Sequence, residues 1–194
     1  RLYEQGHKPL ALNFASGTTP GGGFLSGARA QEENLCRSSA LFATIDGDPM
    51  YQHHRTNARD RFTDWAIVSP NVPVFRNDAG NTLEMPWLLN VITCAAPIAY
   101  RVGADASREL LNQRIHRVLA ISASLGYTSL VLGAWGCGAF GNDAVSTAMD
   151  FRSALEFKFD GVFEHVIFAI TDWSPQRSFL GPFARVFCEN VYSG

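Results

Sequence analysis

The sequence has no run of basic residues and no long apolar stretch. Its 16 Lys and Arg residues against 18 Asp and Glu residues give a formal net charge of −2, whereas nonspecific nucleic-acid affinity depends on clustered positive charge. The longest apolar windows, residues 130–134 and 166–170, are the size of strands and far below the ~20 residues that a membrane-spanning helix needs. We therefore expect neither a general nucleic-acid-binding protein nor a membrane protein.

Paired-cysteine motifs are also missing. The four cysteines are Cys36, Cys94, Cys137 and Cys188. Their wide, irregular spacing forms no Cys-x-x-Cys or Cys/His ligand pattern, which argues against a zinc site and favours buried, reduced thiols. The adjacent pair His53 and His54 lies among arginines, and we interpret it as a surface feature rather than a metal site. The cysteine pattern leads us to expect a cytoplasmic protein. We also expect no metal and no cofactor, and no signal-peptide pattern opens this sequence.

The length and the order of apolar segments indicate the fold class. A chain of 194 residues that is 46% hydrophobic suits one packed domain over residues 1–194, and we expect a monomer. The predicted strands are residues 9–15, 65–69, 72–75, 88–95, 129–134 and 163–170. The predicted helices are residues 28–41, a helix capped by Ser107 that stops at Gly126, a helix from Asn142 or Asp143 to about residue 158, and a last helix that opens at Ser174-Pro175 and kinks near Gly181-Pro182. This alternation predicts an α/β domain with a largely parallel or mixed central sheet.

Two glycine-rich loops each follow a predicted strand and precede a predicted helix. Gly21-Gly22-Gly23 comes before Gln31-Glu32-Glu33, which falls in the first turn of a helix. Each glycine in a regular element costs roughly 0.5–1 kcal/mol of backbone entropy, so three in a row indicate a sharp turn or a close approach to the main chain. The second loop covers residues 135–141. Loops of this kind at the carboxyl ends of strands, each with a helix N-terminus, suit a diphosphate.

One alternative is a dinucleotide-binding oxidoreductase. The letters Gly136-x-Gly138-x-x-Gly141 match the dinucleotide fingerprint and stand between a strand and a helix. That fingerprint belongs to the first strand–helix unit of its fold, however, and here only Asp172 could close a following strand. This alternative also leaves the three consecutive glycines and the paired glutamates without a function.

A second set of residues carries a specific resemblance. Asn13-Phe14-Ala15, the Gly21-Gly22-Gly23 loop, seven intervening residues and Gln31-Glu32-Glu33 resemble the signature of bacterial-type poly(ADP-ribose) glycohydrolases, a macrodomain family. The loop at residues 135–141 and the stretch Ser-Pro-Asn-Val-Pro-Val-Phe-Arg at residues 69–76 are similar to further parts of this family. The resemblance implies a macrodomain-like three-layer α/β/α sandwich with a mixed central sheet. It also implies an enzyme that cleaves ribose–ribose O-glycosidic bonds in poly(ADP-ribose), including chains on ADP-ribosylated proteins, and releases ADP-ribose.

The same resemblance implies roles for individual residues. Glu33 matches the catalytic acid, and Glu32 matches the neighbour that orients the ribose hydroxyls. The implied substrate-binding residues are Asn13, Ala15, Gly21, Gly22, Gly23, Gln31, Ala134, Trp135, Gly136, Cys137, Gly138, Ala139, Phe140 and Asp172. The reaction passes through an oxocarbenium-like state and needs an acid for the leaving oxygen. A first-turn position favours an ionised carboxylate, and we hypothesise that the bound diphosphate keeps Glu33 protonated and that Glu33 then activates water.

Less specific interpretations remain open at this stage. Adjacent glutamates at a helix start are commonly only partners of the helix dipole, and glycine loops are commonly tight turns. Asp172 could contact an adenosine or cap the helix after it, and Phe179 and Phe183 suit a core better than a ligand site, although one aromatic of this segment could stack on adenine. A macrodomain that binds ADP-ribose without cleaving it is the main alternative function, and an NAD-dependent oxidoreductase is the other.

Overall fold

The computed structural model describes residues 2–188, apart from the side chain of Arg59. Two compact units divide the chain, Arg1–Ala95 and Ala96–Gly194. The first unit contains β1 (Leu10–Phe14), α1 (Gln31–Ser38), α2 (Leu41–Ile45), α3 (Pro49–His53), β2 (Ala66–Arg76) and β3 (Thr82–Cys94). The second unit contains α4 (Ala99–Val102), α5 (Ala104–Ser124), β4 (Ser129–Leu132), α6 (Ala144–Ser153), β5 (His165–Phe168) and α7 (Leu180–Cys188). The predicted α/β class is confirmed.

The sheet of the first unit is mixed. β1 pairs with β3 in parallel, and β2 pairs with β3 in antiparallel orientation. β1 is almost entirely buried, as expected for a short apolar strand inside a parallel pair. Because parallel strands end at the same edge of a sheet, Asn13 of β1 lies opposite Thr93 of β3. The loop that follows β1 therefore starts beside the end of β3.

The two short strands predicted at residues 65–69 and 72–75 form one strand, β2. The register shifts between Ser69 and Val72, where Asn71 has a φ of 54°, so the strand continues through a bulge. Of the strands described in this unit, β2 pairs only with β3, and prolines are tolerated on such an edge because it needs fewer backbone donors. The prediction of two separate strands is wrong.

In the second unit, β4 and β5 are parallel. α6 begins after Asp143, whose carboxylate accepts a hydrogen bond from the Ser146 N–H at 2.7 Å, as predicted for a cap. The predicted start of α5 is wrong, because the helix begins at Ala104 and Ser107 lies one turn inside it. The Ser107 hydroxyl instead donates to the side-chain oxygen of Asn142 at 2.6 Å.

The last helix also differs from its prediction. α7 begins at Leu180, so Gly181 and Pro182 lie in its first turn and do not kink it. Proline is tolerated there because the first N–H groups of a helix have no acceptor within the helix. Among the helices that the structure describes, none combines the length and apolarity of a membrane span.

Candidate active site

Two adjacent carboxyl groups are buried at the start of α1. Glu32 is 3% exposed and Glu33 is 8% exposed. Carboxylates that serve only as partners of a helix dipole lie at the surface, and burying a carboxylate is costly unless hydrogen bonds compensate. The burial therefore argues against the simple dipole interpretation and indicates a built site.

Glu32 is held by one residue of β1 and one residue of the loop that follows it. Its Oε1 accepts a hydrogen bond from Asn13 Nδ2 at 3.3 Å, and its Oε2 accepts one from the Ser16 N–H at 2.7 Å. Asn13 Nδ2 also donates to Thr93 Oγ1 at 3.2 Å, across the parallel pair β1–β3. Asn13 is completely buried, so in this structure it positions Glu32, while its contact with a substrate stays a prediction. Ser16 and Thr93 were missed in the sequence analysis.

Burial sets the protonation of Glu32. Loss of hydration raises the pKa of Glu32 from 4.5 to about 7, and the negative charge of Glu33 adds to the rise. Hydrogen bonds from Ser16, Asn13 and Gly21 oppose it without cancelling it. Since desolvation disfavours the charged form of an acid, Glu32 is partly protonated near neutral pH.

This pKa predicts how stability depends on pH. The unfolded chain releases the Glu32 proton near pH 4.5, whereas the folded protein keeps it until about pH 7. The folded state therefore binds more protons in this window, and the free energy of unfolding falls as pH rises, by roughly 3 kcal/mol from this group. Urea unfolding of the wild type and of Glu32→Gln across pH 4.5–7 measures this decrease in the free energy of unfolding. We expect the decrease to be smaller in the variant, and equal decreases in both proteins would contradict the raised pKa of Glu32.

Among the described residues, Glu33 has a hydrogen-bond partner at one of its two oxygens. Its Oε1 accepts a hydrogen bond from the Gly23 N–H at 3.0 Å. Its Oε2 is buried and has no hydrogen-bond partner among the residues that the structure describes. Buried polar atoms are almost always paired, so an unpaired one needs an explanation such as a ligand or water. Glu33 Oε2 is thus the oxygen of this carboxyl group that no described residue binds.

The three glycines let the main chain approach these carboxyl groups. Gly21 and Gly22 have φ values of 69° and 58°, in the left-handed region that favours glycine. A Cβ atom on Gly22 would overlap Glu33 Oε1, and one on Gly23 would lie 2.9 Å from Ala28 Cβ. The predicted close approach is therefore present, but the group that approaches is a carboxyl group of the chain itself. The Gly22 N–H donates to Thr19 O at 3.0 Å, so the substrate-binding role of Gly21, Gly22 and Gly23 stays a prediction.

Gln31 fixes α1 onto the first strand. Its Nε2 donates to Leu12 O at 2.8 Å, and its Oε1 accepts from the Phe14 N–H at 2.9 Å. This side chain binds the main chain of β1 through both of its polar atoms and so places Glu32 and Glu33 beside the loop. Ala15 is fully buried. Substrate contacts of Gln31 and Ala15 stay predictions.

The second glycine loop, in the other unit, is organised by Asn142. Asn142 Nδ2 donates to Pro97 O at 2.9 Å and to Gly136 O at 3.0 Å. Gly136 has a φ of 74°, and a Cβ atom there would lie 2.6 Å from Asn142 Nδ2, so the position requires glycine. Sequence reasoning treated Asn142 only as a possible helix cap and missed this role.

The remaining residues of this loop fall into two groups. Trp135 and Cys137 are buried, and burial raises the pKa of the Cys137 thiol to about 11, which keeps it protonated. Gly138 and Ala139 are exposed, and their N–H groups donate no hydrogen bond to any residue in the described part of the chain. Ala134 is half-buried, and the Phe140 carbonyl accepts from the Ala99 N–H at 2.8 Å.

Asp172 has hydrogen bonds at both carboxylate oxygens. Oδ1 accepts from the Ser174 hydroxyl and N–H at 2.6 and 2.9 Å, and Oδ2 accepts from the N–H groups of Phe179 and Leu180 at 2.7 and 2.9 Å. These bonds, led by that of the Ser174 hydroxyl, hold the pKa of Asp172 below its usual range. The geometry matches the capping alternative, and an adenosine contact stays a prediction. Phe183 is buried, which favours a core position.

The two histidines of the pair differ in burial. His53 stacks on Trp65 with ring centroids 4.5 Å apart, while His54 is completely buried. The surface interpretation is therefore wrong for His54. Two residues adjacent in sequence point to different sides of a helical turn. The sequence pattern alone did not show which of the two histidines is buried.

An α/β fold with a buried carboxyl group that keeps one oxygen unpaired defines a domain suited to acid–base catalysis. The chain matches the family model "Microbial-type PARG, catalytic domain" over residues 1–77, where PARG is poly(ADP-ribose) glycohydrolase. The chain is 43% identical to the solved PARG of Thermomonospora curvata, with a TM-score of 0.92, over 96% of this chain and 71% of that chain.

Two ligand complexes give similar values. The T. curvata PARG bound to the inhibitor ADP-HPD is 43% identical, with a TM-score of 0.92, over 96% of this chain and 74% of that chain. A PARG of Deinococcus radiodurans in complex with ADP-ribose is 43% identical, with a TM-score of 0.90, over 97% of this chain and 79% of that chain. No curated protein matches the sequence.

The chain belongs to the microbial-type poly(ADP-ribose) glycohydrolase family. The predicted family, macrodomain-like fold and glycosidase class are confirmed. This membership favours the glycosidase over the oxidoreductase that the Gly136-x-Gly138-x-x-Gly141 letters suggested.

Proposed function

We propose that this chain hydrolyses the ribose–ribose O-glycosidic bonds of poly(ADP-ribose), releases ADP-ribose, and uses Glu33 as general acid and base. The observation that carries the proposal is the state of the Glu33 carboxyl group: the Gly23 N–H fixes its Oε1, while its buried Oε2 has no partner among the described residues. A general acid must reach the atom to which it gives its proton. The complexes of related PARGs with ADP-ribose and with ADP-HPD support ADP-ribose as the product here.

The reaction then proceeds in two proton transfers. Glu33 Oε2 donates its proton to the bridging oxygen as the bond from that oxygen to the anomeric carbon breaks, and the bonding electron pair leaves with the oxygen. The sugar becomes oxocarbenium-like. A water oxygen bonds to the anomeric carbon and gives its proton to the Glu33 carboxylate, which restores the acid.

Glu32 has a supporting role in this proposal. Hydrogen bonds from Asn13 and Ser16 fix its two oxygens, and each carboxyl oxygen can accept a further bond. Glu32 is therefore suited to orient the ribose hydroxyls rather than to attack the sugar.

The substrate diphosphate is assigned to the loop of residues 134–140. The free N–H groups of Gly138 and Ala139 are suitable donors for phosphate oxygens. We propose that the negative charge of the bound substrate keeps Glu33 protonated and stabilises the positive sugar. The Gly22 and Gly23 N–H groups already have acceptors, which leaves the second loop as the better supported phosphate site.

Incubation with poly(ADP-ribose), followed by chromatography, tests the proposed function. We expect free ADP-ribose to accumulate with time. Binding of ADP-ribose by calorimetry without release of ADP-ribose would instead identify a module that only binds its ligand.

The setting of the enzyme is also a proposal. All four cysteines are free, and three of them are buried, which supports a reducing, cytoplasmic compartment. We propose that residues 1–194 act as one catalytic domain and as a monomer, with ADP-ribosylated proteins as the carriers of its substrate.

A further inference from the structure

His54 contacts the loop that carries the active-site donors. Its Nδ1 lies 2.9 Å from Gly17 O, and its Nε2 lies 2.7 Å from Thr63 Oγ1. The Thr63 N–H donates to the same Nε2 at 3.1 Å. An N–H donor requires an acceptor, so Nε2 carries no proton and Nδ1 donates to Gly17 O. The imidazole therefore ties Thr63 to the loop after β1 as one fixed tautomer.

Other contacts of the same segment reinforce this link. A Cβ atom on Gly17 would lie 2.5 Å from the ring of Phe62, so Gly17 is packed tightly against the residue before Thr63. Arg55 Nη1 donates to Thr18 O at 2.6 Å. His54 and Arg55 thus bind two consecutive carbonyls of the loop, those of Gly17 and Thr18.

The carbonyls of Gly17 and Thr18 lie in the same loop as the main-chain donors to both glutamates. Ser16, which precedes Gly17, donates its N–H to Glu32, and its hydroxyl accepts from the Thr19 N–H at 3.1 Å. Thr19 O accepts from the Gly22 N–H, and the following N–H, of Gly23, donates to Glu33. The main chain of residues 16–23, with the hydrogen bonds inside this loop, therefore connects the anchor at His54 to the two carboxyl groups.

We propose that His54 is a positioning residue for the glycosidase reaction, which acts by holding Gly17 O and through it the loop of residues 16–23 against Glu32 and Glu33. This inference rests on the proposed function of Glu33. A histidine that only fills space in the core would affect folding but not the rate of the folded enzyme. Positioning instead affects kcat, because small errors in the geometry of a catalytic acid are costly.

Two substitutions separate these roles. In His54→Asn the side-chain amide takes the place of Nδ1 and keeps the hydrogen bond to Gly17 O. In His54→Gln the amide takes the place of Nε2, so it keeps the hydrogen bonds to Thr63 and loses the one to Gly17 O. We expect His54→Gln to lower kcat by about tenfold to a hundredfold with little change in KM, and His54→Asn to retain most of kcat. Val118→Ala, in the buried core of α5, serves as a control that lowers stability alone.

Equal kcat values for the two His54 variants, or losses that follow only the melting temperature as in Val118→Ala, would overturn the inference. If neither variant folds, the kinetics of Thr63→Val are measured instead. We expect kcat to fall roughly threefold, because the imidazole loses its hydrogen bond to the Thr63 hydroxyl. An unchanged kcat would overturn the inference. A wild-type enzyme that releases no ADP-ribose would reject the proposed function, whereas an active wild type with a fully active His54→Gln rejects only the role of His54.

Discussion

Glu33→Gln is expected to lower kcat for release of ADP-ribose by about 10²–10⁴-fold, the usual contribution of a general acid–base residue. The glutamine keeps the size of the side chain and an oxygen that accepts from the Gly23 N–H, but it has no acidic proton for the leaving oxygen. Folding and affinity for ADP-ribose should change little, because the lost interaction exists only during the reaction. Chromatography of the products and calorimetry with ADP-ribose measure the two effects separately.

A matched control distinguishes this loss from a general effect of removing charge. Glu109 is an exposed glutamate of α5, and Glu109→Gln should keep wild-type kcat. Near-normal turnover by a folded Glu33→Gln protein would mean that another group supplies the proton.

Gly22→Ala is expected to have the second largest effect. The added Cβ atom overlaps Glu33 Oε1 and forces the carboxyl group or the loop to move, so we expect kcat to fall by about 100-fold. The φ of 58° adds a backbone strain of roughly 1–2 kcal/mol for any residue with a side chain. Steady-state kinetics and urea unfolding measure the two consequences.

Gly27 offers the control for Gly22→Ala. It lies in the same stretch of chain with a φ of 86°, and a Cβ atom there would have no neighbour within 4 Å. Gly27→Ala should therefore lose stability to a similar degree while keeping most of its activity. Equal losses of activity in the two variants would show that backbone strain, and not the contact with Glu33, causes the effect.

Local sequence patterns predicted the elements that depend on neighbouring residues. The alternation of predicted strands and helices indicated the α/β class. The cap of α6 was predicted at Asn142 or Asp143, and the structure places it at Asp143. The Gly21-Gly22-Gly23 loop and the Glu32–Glu33 pair were also identified from the chain alone. In each case the signal lies within a few residues.

The supporting residues of the site could not be predicted in this way. Thr93 meets Asn13 across 80 positions, and His54 meets Gly17 across 37, so no local spacing marks them. The wrong predictions for Ser107 and Pro182 also arise because local patterns do not show contacts between distant residues. Ser107 has the residue type of a cap, but its hydroxyl is used by Asn142, 35 positions away, and Pro182 is accommodated by the start of α7 rather than by a kink.

The crystal structure of the enzyme with ADP-ribose tests the central claim most directly. If Glu33 is the acid, its Oε2 gains a hydrogen bond of about 3 Å to the oxygen on the anomeric carbon of the distal ribose, while Oε1 stays with the Gly23 N–H. A complex in which Glu33 Oε2 remains unpaired and the anomeric carbon lies beyond its reach would contradict the account.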